Sequence, residues 1–435
     1  MKVIRYPKKE DWQKILARPV FETKSLERHV QNILNHVKRD GDQAVRHFTK
    51  TLDKVEIEDF AVGEEEFAEA ERNVSAELKA AIETAKANIE KFHRAQIEKP
   101  EIIETTTGVF CWRKSVAIEK VGLYIPAGSA PLFSTVLMLA VPAKLAGCRE
   151  IVLCSPPDET GKINDVILYA AKLCGVTKAF KIGGVQAVGA MAFGTQTVLP
   201  VYKIFGPGNQ FVTCAKQLVS QTNVAIDMPA GPSEVAILAD ETCVPAFVAA
   251  DLLSQAEHGV DSQVLLVTTS EKVVVETLAE VEKQLTVLPR RQIAEKALEN
   301  SKAILVETLN EAVELLNEYA AEHLVVAVEN ADETAEKIVN AGSVFIGNFS
   351  CESAGDYASG TNHTLPTGGF AKAYSGVSLD SFVKKITFQK LTEGGVRNLG
   401  NAVEIMAEAE SLQAHKNAIS LRLEAINGDA SDKRK

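Results

Sequence analysis

Four histidines of this chain each stand beside an acidic or amide side chain. A single histidine is more often a structural residue than a ligand. Imidazole together with carboxylate or amide oxygen, however, is a donor set that borderline divalent metals accept. The sequence therefore predicts a metal and substrate site built around these residues. The four are His258 in S-Q-A-E-H-G, His323 in A-A-E-H-L, His363 in G-T-N-H-T and His415 in E-S-L-Q-A-H-K.

The stretch from Ser353 to Thr367 reads S-A-G-D-Y-A-S-G-T-N-H-T-L-P-T and has almost no apolar residue to bury. It contains Asp356 and His363. Loops held by a rigid scaffold are where binding and catalytic residues concentrate. We therefore predict a polar loop here, facing a cleft and forming the centre of the site.

Gln255 and His258 are three residues apart at the end of a predicted helix. This spacing places both side chains on one face, one turn apart. Asp356 and His415 would complete a set of two nitrogen and two oxygen ligands for zinc. The alternative is a helix end with exposed polar residues, and spacing rules cannot decide because the set spans three segments.

Glu322 and His323 are adjacent between a predicted helix and a predicted strand. A neighbouring carboxylate and imidazole form a candidate acid/base couple. Their position argues the other way, because ligands of parallel sheets usually bind at the carboxyl ends of the strands and this turn lies at the amino end. Both interpretations stay open at this point.

Three glycine-containing loops each follow a predicted strand and open a predicted helix, although the chain has no G-x-G-x-x-G. They are Y-I-P-A-G-S-A-P at 124–131, G-G-V-Q at 183–186 and F-G-P-G-N at 205–209. Such loops at a helix N-terminus suit a phosphate or dinucleotide, so this part of the chain is predicted to bind a cofactor. M-P-A-G-P-S-E at 228–234 either places Ser233 over the cleft or is only a rigid linker.

The elements that must position these residues are short apolar strands alternating with helices, which predicts parallel sheets with helical crossovers. The fold class is α/β, with two Rossmann-like parallel-sheet halves facing a cleft, N-terminal helices and a small helical C-terminal appendage. The predicted strands are 121–125, 151–154, 179–182, 202–205 and 224–226 in one half, and 234–238, 264–268, 303–306, 324–328 and 344–346 in the other.

The predicted domains follow from this pattern. Residues 1–24 form an arm. Residues 25–120 and 234–380 form the first α/β domain, on the metal and substrate side, and 121–233 form the second, on the cofactor side. Residues 381–435 are predicted to form a helical appendage that docks on another subunit. The N-terminal helices carry the other histidines, which we interpret as surface or core-edge residues: His29, His36, His47 and His93.

Composition limits the partners. The 435 residues carry a net charge of −11, which argues against a general nucleic-acid or anionic-membrane binder. The most apolar run, 136–143, is far shorter than the roughly 20 residues that span a bilayer. The seven cysteines are scattered without C-x-x-C, which fits a reducing compartment. A cytoplasmic protein is predicted.

Together these stretches resemble histidinol dehydrogenases over roughly residues 25 to 425. Two departures occur: Ala127 stands where the family usually has glycine, and Ala321 where proline often precedes the Glu-His pair. The matching motifs are Y-I-P-A-G-S-A-P-L-F-S-T-V-L-M, F-G-P-G-N-Q-F-V-T, A-I-D-M-P-A-G-P-S-E-V, L-L-S-Q-A-E-H-G, A-E-H-L and E-S-A-G-D-Y-A-S-G-T-N-H-T-L-P-T.

The resemblance implies an enzyme that depends on NAD+ and on one Zn2+ per subunit. It would oxidise L-histidinol to L-histidinaldehyde and then to L-histidine, the last steps of histidine biosynthesis, with two NAD+ per turnover. His323 would take the alcohol proton and Glu322 would activate the water that attacks the aldehyde. The implied enzyme is a homodimer in which His415 is supplied across the interface.

The resemblance also assigns the ligands. The implied zinc ligands are Gln255, His258, Asp356 and His415. The implied substrate contacts are Ser233, His363 and Glu410 together with Gln255, His258, His323, Asp356 and His415. The implied NAD+ contacts are Tyr124, Gln186 and Asn209.

Three other functions remain as alternatives. An aldehyde dehydrogenase that forms a thiohemiacetal would need a reactive cysteine, and the candidates are Cys148, Cys154 and Cys351. A zinc hydrolase would need no nicotinamide. A zinc-dependent binding module would bind ligand without turning it over.

Overall fold

The computed structural model describes residues 1–19, 23–127, 130–229 and 231–432. Its strands are β1 Lys2–Arg5, β2 Ile102–Thr106, β3 Val109–Ala117, β4 Lys120–Tyr124, β5 Glu150–Ser155, β6 Lys178–Lys181, β7 Lys203–Phe205, β8 Ala225–Ile226, β9 Glu234–Ala239, β10 Gln263–Thr268, β11 Lys302–Leu305, β12 His323–Ala327, β13 Ser343–Ile346 and β14 Val383–Leu391. Its α-helices are α1 Trp12–Ile15, α2 Thr23–Asp40, α3 Asp42–Phe48, α4 Glu64–Asn73, α5 Ala76–Arg94, α6 Phe133–Ala146, α7 Asp165–Cys174, α8 Gly184–Phe193, α9 Gln210–Val219, α10 Pro245–Ala256, α11 Glu271–Leu285, α12 Arg291–Glu299, α13 Leu309–Tyr319, α14 Ala331–Ala335, α15 Glu352–Tyr357, α16 Glu393–Ala409 and α17 Gln413–Asp432.

The chain forms two compact units. The first consists of Met1–Gln96 and Ile118–Phe382, and the second of Ile97–Ala117 and the chain from Val383 onward. Within the described residues, no helix is both long and apolar enough to cross a bilayer.

The first unit contains a six-stranded parallel sheet in the order β1-β11-β10-β9-β12-β13. The five strands predicted between residues 234 and 346 are confirmed within a few residues at each end. The sixth, β1, comes from the N-terminal arm, for which the sequence predicts no strand. Its four residues are exposed or half-buried, so they carry too little apolar pattern to reveal an edge strand.

The first unit also contains a five-stranded parallel sheet in the order β6-β5-β4-β7-β8. Its strands match the five predicted between residues 121 and 226. The chain starts at β4 in the middle, moves outward to β6 and then returns to β7 on the other side. Such a reversal opens a crevice at the carboxyl ends of the strands, and the three glycine-containing loops lie at that edge.

Helices α2 to α5 pack on the five-stranded sheet. Buried residues of α2 such as Ile33 share a core with Val152 and Ile204 of that sheet, and Ile82 and Ile89 of α5 share one with its other side chains. The sequence groups these helices with residues 234–380 instead. An amphipathic helix specifies that one face is buried, but not which of two apolar sheets buries it.

The second unit pairs a three-stranded antiparallel sheet, in the order β14-β3-β2, with the helices α16 and α17. The predicted helices at 402–410 and 412–426 lie within these two except for residues 410 and 412, which belong to the turn between them. The prediction of a purely helical appendage was wrong for residues 383–391, which form strand β14. Most of that strand is exposed or half-buried, so its side chains lack the alternation of a strand with one buried face.

Candidate active site

The amino ends of β9 and β12 bring together two glutamates that are distant in sequence. The two strands are neighbours, with His323 opposite Val235. This register puts Glu322 beside Glu234, whose backbone N–H donates to Glu322 Oε2 at 2.9 Å. The Glu322–His323 pair does lie at the amino end of its strand, as the sequence indicates, but the cluster described below is built at that same edge.

The backbone around Glu322 is tightly held. Ala320 has φ of +53° and ψ of 63°, a left-handed conformation in which a Cβ is unfavourable. The next strand fixes the other side, because the N–H of Ser343 donates to the Glu322 carbonyl at 2.9 Å. Gly342 permits this approach, since a Cβ on it would lie 2.5 Å from that carbonyl oxygen.

His323 is buried among three carboxylates. Its Nε2 lies 3.4 Å from Asp356 Oδ1, and its Nδ1 lies 3.7 Å from Glu322 Oε2 and 3.9 Å from Glu352 Oε1. Neither ring nitrogen has a hydrogen-bond partner. Both nitrogens are therefore available to a ligand.

Charge and burial shift the pKa values in this cluster. Burial by itself lowers the pKa of His323, but Glu322, Asp356 and Glu352 outweigh it and raise that pKa to about 10. Burial raises the pKa of Glu322 to about 8. These shifts describe the protein groups alone. A cation beside Asp356 would favour the neutral imidazole and the ionised carboxylates.

Three side chains form a group that could hold a metal ion: His258, Glu352 and Asp356, whose ligand atoms all lie within 4.8 Å of one another. Residues 353–357 belong to helix α15 and are not the loop that their polarity predicts. Because Glu352 and Asp356 are four residues apart in this helix, their side chains share a face. Burial opposes ionisation of Asp356, but His323, His363 and His258 together lower its pKa.

Glu352 is the residue that the sequence prediction missed. It is 1% exposed, and Ser254 Oγ donates to its Oε2 at 2.9 Å. Burial raises its pKa to about 8. The available signal was its i, i+4 spacing from Asp356, which is visible only once the segment is known to be helical.

Gln255 lies beside the same group. When its amide nitrogen faces Glu352, it donates to that carboxylate, and its oxygen accepts the Glu234 N–H at 3.0 Å. The reverse orientation would set oxygen against oxygen. Gln255 is 1% exposed, whereas His258, just beyond the end of α10, is exposed. Desolvation by the neighbouring protein atoms lowers the pKa of His258 although the residue is exposed, and Asp356 opposes this effect.

The fit to a divalent cation can be tested on the polar atoms. Asp356 Oδ1 is buried without a hydrogen-bond partner, as are both nitrogens of His323. Asp356 Oδ1 and His323 Nε2 are ion-pair neighbours, but 3.4 Å is too long for a strong hydrogen bond between them, so both atoms keep capacity for a ligand. Imidazole and carboxylate are also the ligands zinc prefers. The residues present therefore fit the metal.

His363 connects this cluster to the five-stranded sheet. Its Nδ1 lies 2.9 Å from the Asp356 carbonyl oxygen, and its Nε2 lies 3.2 Å from Thr135 Oγ1 on α6. Asn362 adds a bond to the Met138 carbonyl at 2.6 Å. The stretch after α15 thus contributes to packing as well as to the site, and burial lowers the pKa of His363.

The remaining predicted substrate residues lie in different places. Ser233 immediately precedes Glu234 at the start of β9, and its carbonyl accepts from Gln263 N–H at 3.3 Å. Glu410 caps the end of α16 and His415 lies in the first turn of α17, both exposed and both in the second unit. The metal role of His415 and the substrate role of Glu410 stay predictions.

The three predicted cofactor residues lie at the carboxyl edge of the five-stranded sheet. Tyr124 Oη accepts from Gly184 N–H at 3.2 Å, and burial raises its pKa to about 12. Gln186 is fully buried with its Oε1 unpartnered. Asn209 caps α9 by accepting from Phe211 N–H at 3.0 Å.

A buried ion pair fixes the F-G-P-G-N loop. Lys216 Nζ lies 2.5 Å from Asp227 Oδ1 and donates to the Gly206 carbonyl at 2.8 Å. The N–H of Gly206 donates to Asp227 Oδ2. Gly206 has φ of +124°, and a Cβ on it would lie 2.1 Å from the Tyr124 carbonyl oxygen. Only glycine permits this approach.

The cysteine alternative receives little support. Cys148 and Cys154 are buried. Burial raises the pKa of both thiols, that of Cys148 to about 12, so neither is a ready nucleophile. Cys351 is exposed and precedes α15.

The fold and the site define a class of protein. It is an α/β protein with two parallel sheets and a buried carboxylate–imidazole cluster that fits a divalent metal. The carboxyl edge of its five-stranded sheet carries glycine-containing loops of the kind that bind nucleotides. Comparison with known proteins makes this specific. A protein-family model for histidinol dehydrogenase matches residues 16–423. The chain belongs to the histidinol dehydrogenase family.

Individual relatives agree. Histidinol dehydrogenase of Bacteroides fragilis is 62% identical over 426 residues, covering 98% of this chain and 100% of the relative. That of Mannheimia succiniciproducens is 53% identical over 420 residues, covering 96% and 97%. The crystal structure of histidinol dehydrogenase from Elizabethkingia anophelis superposes with a TM-score of 0.96 at 55% identity, covering 98% of this chain and 99% of that one.

Proposed function

We propose that this protein is a cytoplasmic oxidoreductase that oxidises L-histidinol to L-histidinaldehyde and then to L-histidine, using two NAD+ and one zinc ion per subunit. Family membership supports the reaction. The observation that supports the site most directly is the buried His323 ring, whose unpartnered nitrogens lie within 3.9 Å of three carboxylates.

In the first oxidation, a nitrogen of neutral His323 accepts the hydroxyl proton of histidinol as the C–H bond of the carbinol carbon breaks. The ring is available because neither nitrogen is engaged elsewhere. Glu322 and Asp356, on its two sides, stabilise the imidazolium that forms. NAD+ bound at the glycine-containing edge would supply the hydride acceptor for each oxidation.

In the second stage, ionised Glu322 accepts a proton from the water that adds to the aldehyde carbon, which leaves the hydrate anion. This anion then loses its C–H hydrogen as hydride and its one remaining hydroxyl proton, which gives the carboxylate. Burial raises the pKa of Glu322 to about 8, which makes this carboxylate a base poised near neutrality. Its Oε2 is held at 2.9 Å by the Glu234 N–H.

The proposed metal ligands are Gln255, His258, Asp356 and, from a second copy of the chain, His415. When bound, zinc supplies a Lewis-acid anchor for nitrogen and oxygen donors of the substrate. Glu352 lies in the same group and orients Gln255 and His323. Ser233, His363 and Glu410 are the proposed further substrate contacts, and Tyr124, Gln186 and Asn209 the proposed NAD+ contacts.

The test combines metal analysis with an assay for NADH formation. We expect about one zinc per chain, two NADH formed per L-histidinol consumed, and loss of turnover with a chelator that added zinc reverses. Histidinol consumed without NADH would indicate a hydrolase, and binding without consumption would indicate a binding module. Cys351→Ser should leave turnover nearly intact, and complete loss would favour the thiohemiacetal mechanism.

A further inference from the structure

Among the described residues, the second strand of the five-stranded sheet is not followed directly by a carboxylate, which dinucleotide-binding sheets usually have at this place. In such sheets an acidic residue near the end of the second strand binds the ribose hydroxyls of the adenosine. Here the second strand, β5, ends at Ser155 and continues into Pro156 and Pro157. The next acid, Asp158, is exposed and its Oδ1 accepts from Thr160 and Lys162 N–H within its own turn.

A carboxylate from a distant segment occupies this edge instead. Asp53 ends a short π-helix, Thr49–Asp53, that follows α3, and its Oδ2 accepts from Gln186 Nε2 at 2.9 Å. Its Oδ1 lies 3.4 Å from the position that a Cβ on Gly183 would take, and Pro156 Cβ lies 2.6 Å from the same position. Asp53 therefore lies over the carboxyl ends of β5 and β6.

The surroundings of Asp53 fit a ligand-binding role better than a structural one. The side chain is half-buried, and among the described residues no lysine or arginine forms an ion pair with it. Burial raises its pKa to about 6, partly opposed by the Gln186 bond. A desolvated carboxylate with one neutral donor has unused acceptor capacity, and its donor, Gln186, is itself buried with Oε1 unpartnered.

We propose that Asp53 accepts hydrogen bonds from the adenosine ribose hydroxyls of NAD+ and excludes NADP+ by repelling its 2′-phosphate. The inference rests on the proposed function and adds a specificity residue to it. A carboxylate suits two neighbouring hydroxyl donors. The same half-buried charge opposes a phosphate, because charge repulsion is strong where water is partly excluded.

The experiment measures the affinities of NAD+, 2′-deoxyadenosine NAD+ and NADP+ for wild type, Asp53→Ala and Asp53→Asn. Asp53→Ala should weaken NAD+ binding about 10-fold while the KM for histidinol stays unchanged. Wild type should bind the deoxy analogue about 10-fold more weakly than NAD+, and Asp53→Ala should bind the two about equally. In both variants the affinities for NAD+ and NADP+ should differ less than they do in wild type.

Glu159→Gln is the matched control, because it removes an exposed negative charge from the loop after β5 and should change none of these ratios. Asp53→Asn keeps the shape of the side chain and an acceptor for Gln186. A change in nucleotide affinity in this variant therefore reflects the lost charge and not a disturbed fold. If Asp53→Ala weakens the binding of NAD+ and of its deoxy analogue by the same factor, the proposal is overturned. Asp53 would then serve only to hold the Gln186 side chain in place.

The two proposals fail separately. If wild type oxidises histidinol with NAD+ but the Asp53 variants do not change the affinity ratios among the three nucleotides, only the inference is contradicted. If the affinity ratios are as expected but wild type does not oxidise histidinol, only the proposed function is contradicted. Preference of the wild type for NADP+ also overturns the inference.

Discussion

At the scale of the residue, the site concentrates buried charge that a merely structural core would avoid. Glu322, Glu352 and Asp356 all approach one imidazole, that of His323. Buried carboxylates destabilise a fold unless they are protonated, paired or bound to a cation. Such clusters therefore occur mainly where a function requires them.

Glu322→Gln tests the division of labour within this cluster. Glutamine can still accept the Glu234 N–H but cannot take a proton from water, so oxidation of histidinaldehyde should fall about 100-fold or more. Oxidation of histidinol to the aldehyde should fall much less. Single-turnover NADH formation from each substrate measures both rates.

The control for this variant is Glu318→Gln, an exposed glutamate on α13 paired with Lys372, which should leave both rates unchanged. Equal losses in the two oxidations of Glu322→Gln would show that the water-activating role is misassigned.

At the scale of the element, one ion pair ties the N-terminal arm to the start of β9. Arg18 donates to Glu234 through Nε at 3.0 Å and Nη2 at 2.6 Å, and Glu234 is 2% exposed. Arg18 also donates to the Tyr319 carbonyl and stacks 4.0 Å over its ring. Gly368 N–H bonds to the same carboxylate. The segments around Ser233, Glu322 and Thr367 thus share one anchor.

Replacing Arg18 by methionine should leave Glu234 buried without its cation. The expected loss is about 3–5 kcal/mol in the free energy of unfolding, measured by urea denaturation. Arg18→Lys should lose less, because it keeps the charge but not the two-pronged geometry.

Arg5→Met is the matched control in the same arm. Arg5 pairs with Glu271 at the surface, where both side chains are about half exposed, so its loss should lower the free energy of unfolding much less than Arg18→Met does. Similar losses for Arg18→Met and Arg5→Met would contradict the anchoring role of Arg18.

At the scale of the whole molecule, the second unit carries an apolar surface that its own core does not cover. Ile102, Ile386 and Phe388 share one face of its three-stranded sheet and are all exposed, and Trp112 on that face stacks on Phe388 with ring centroids 5.5 Å apart. Apolar surface of this kind is typical of an interface. It supports the proposal of a homodimer in which His415 completes the site of a second copy.

Co-expression of two inactive variants tests this arrangement. His323→Ala and His415→Asn should each lack activity alone. If the two residues come from different subunits, random pairing gives half heterodimers with one intact site each, so roughly a quarter of wild-type activity should return. NADH formation from histidinol by the co-purified protein measures it.

The control is co-expression of the His323→Ala chain with the Asp356→Asn chain. Both residues belong to the first unit, so every site of a mixed dimer keeps one defect and no activity should return. If the His323→Ala and His415→Asn mixture is equally inactive, the shared site is contradicted.

Much of this protein is determined by the sequence alone. Ten of the eleven strands of the two parallel sheets were predictable, because buried strands in such sheets are short, continuous apolar runs between turn residues. Glu322, His323, His258 and Asp356 were identifiable as candidates because histidine stands beside an acidic or amide side chain in each motif and because the motifs resemble one family. These are local properties, which a linear chain displays without being folded.

Only the tertiary structure decided what lies together. It placed Glu352 with Asp356 and His258, set Asp53 over the ends of β5 and β6, and packed the N-terminal helices on the five-stranded sheet. It also added the edge strand β1 and the exposed strand β14. The physical reason is the same in each case: periodicity reports that a face is buried, whereas the partner across that face is set by contacts between segments far apart in the chain.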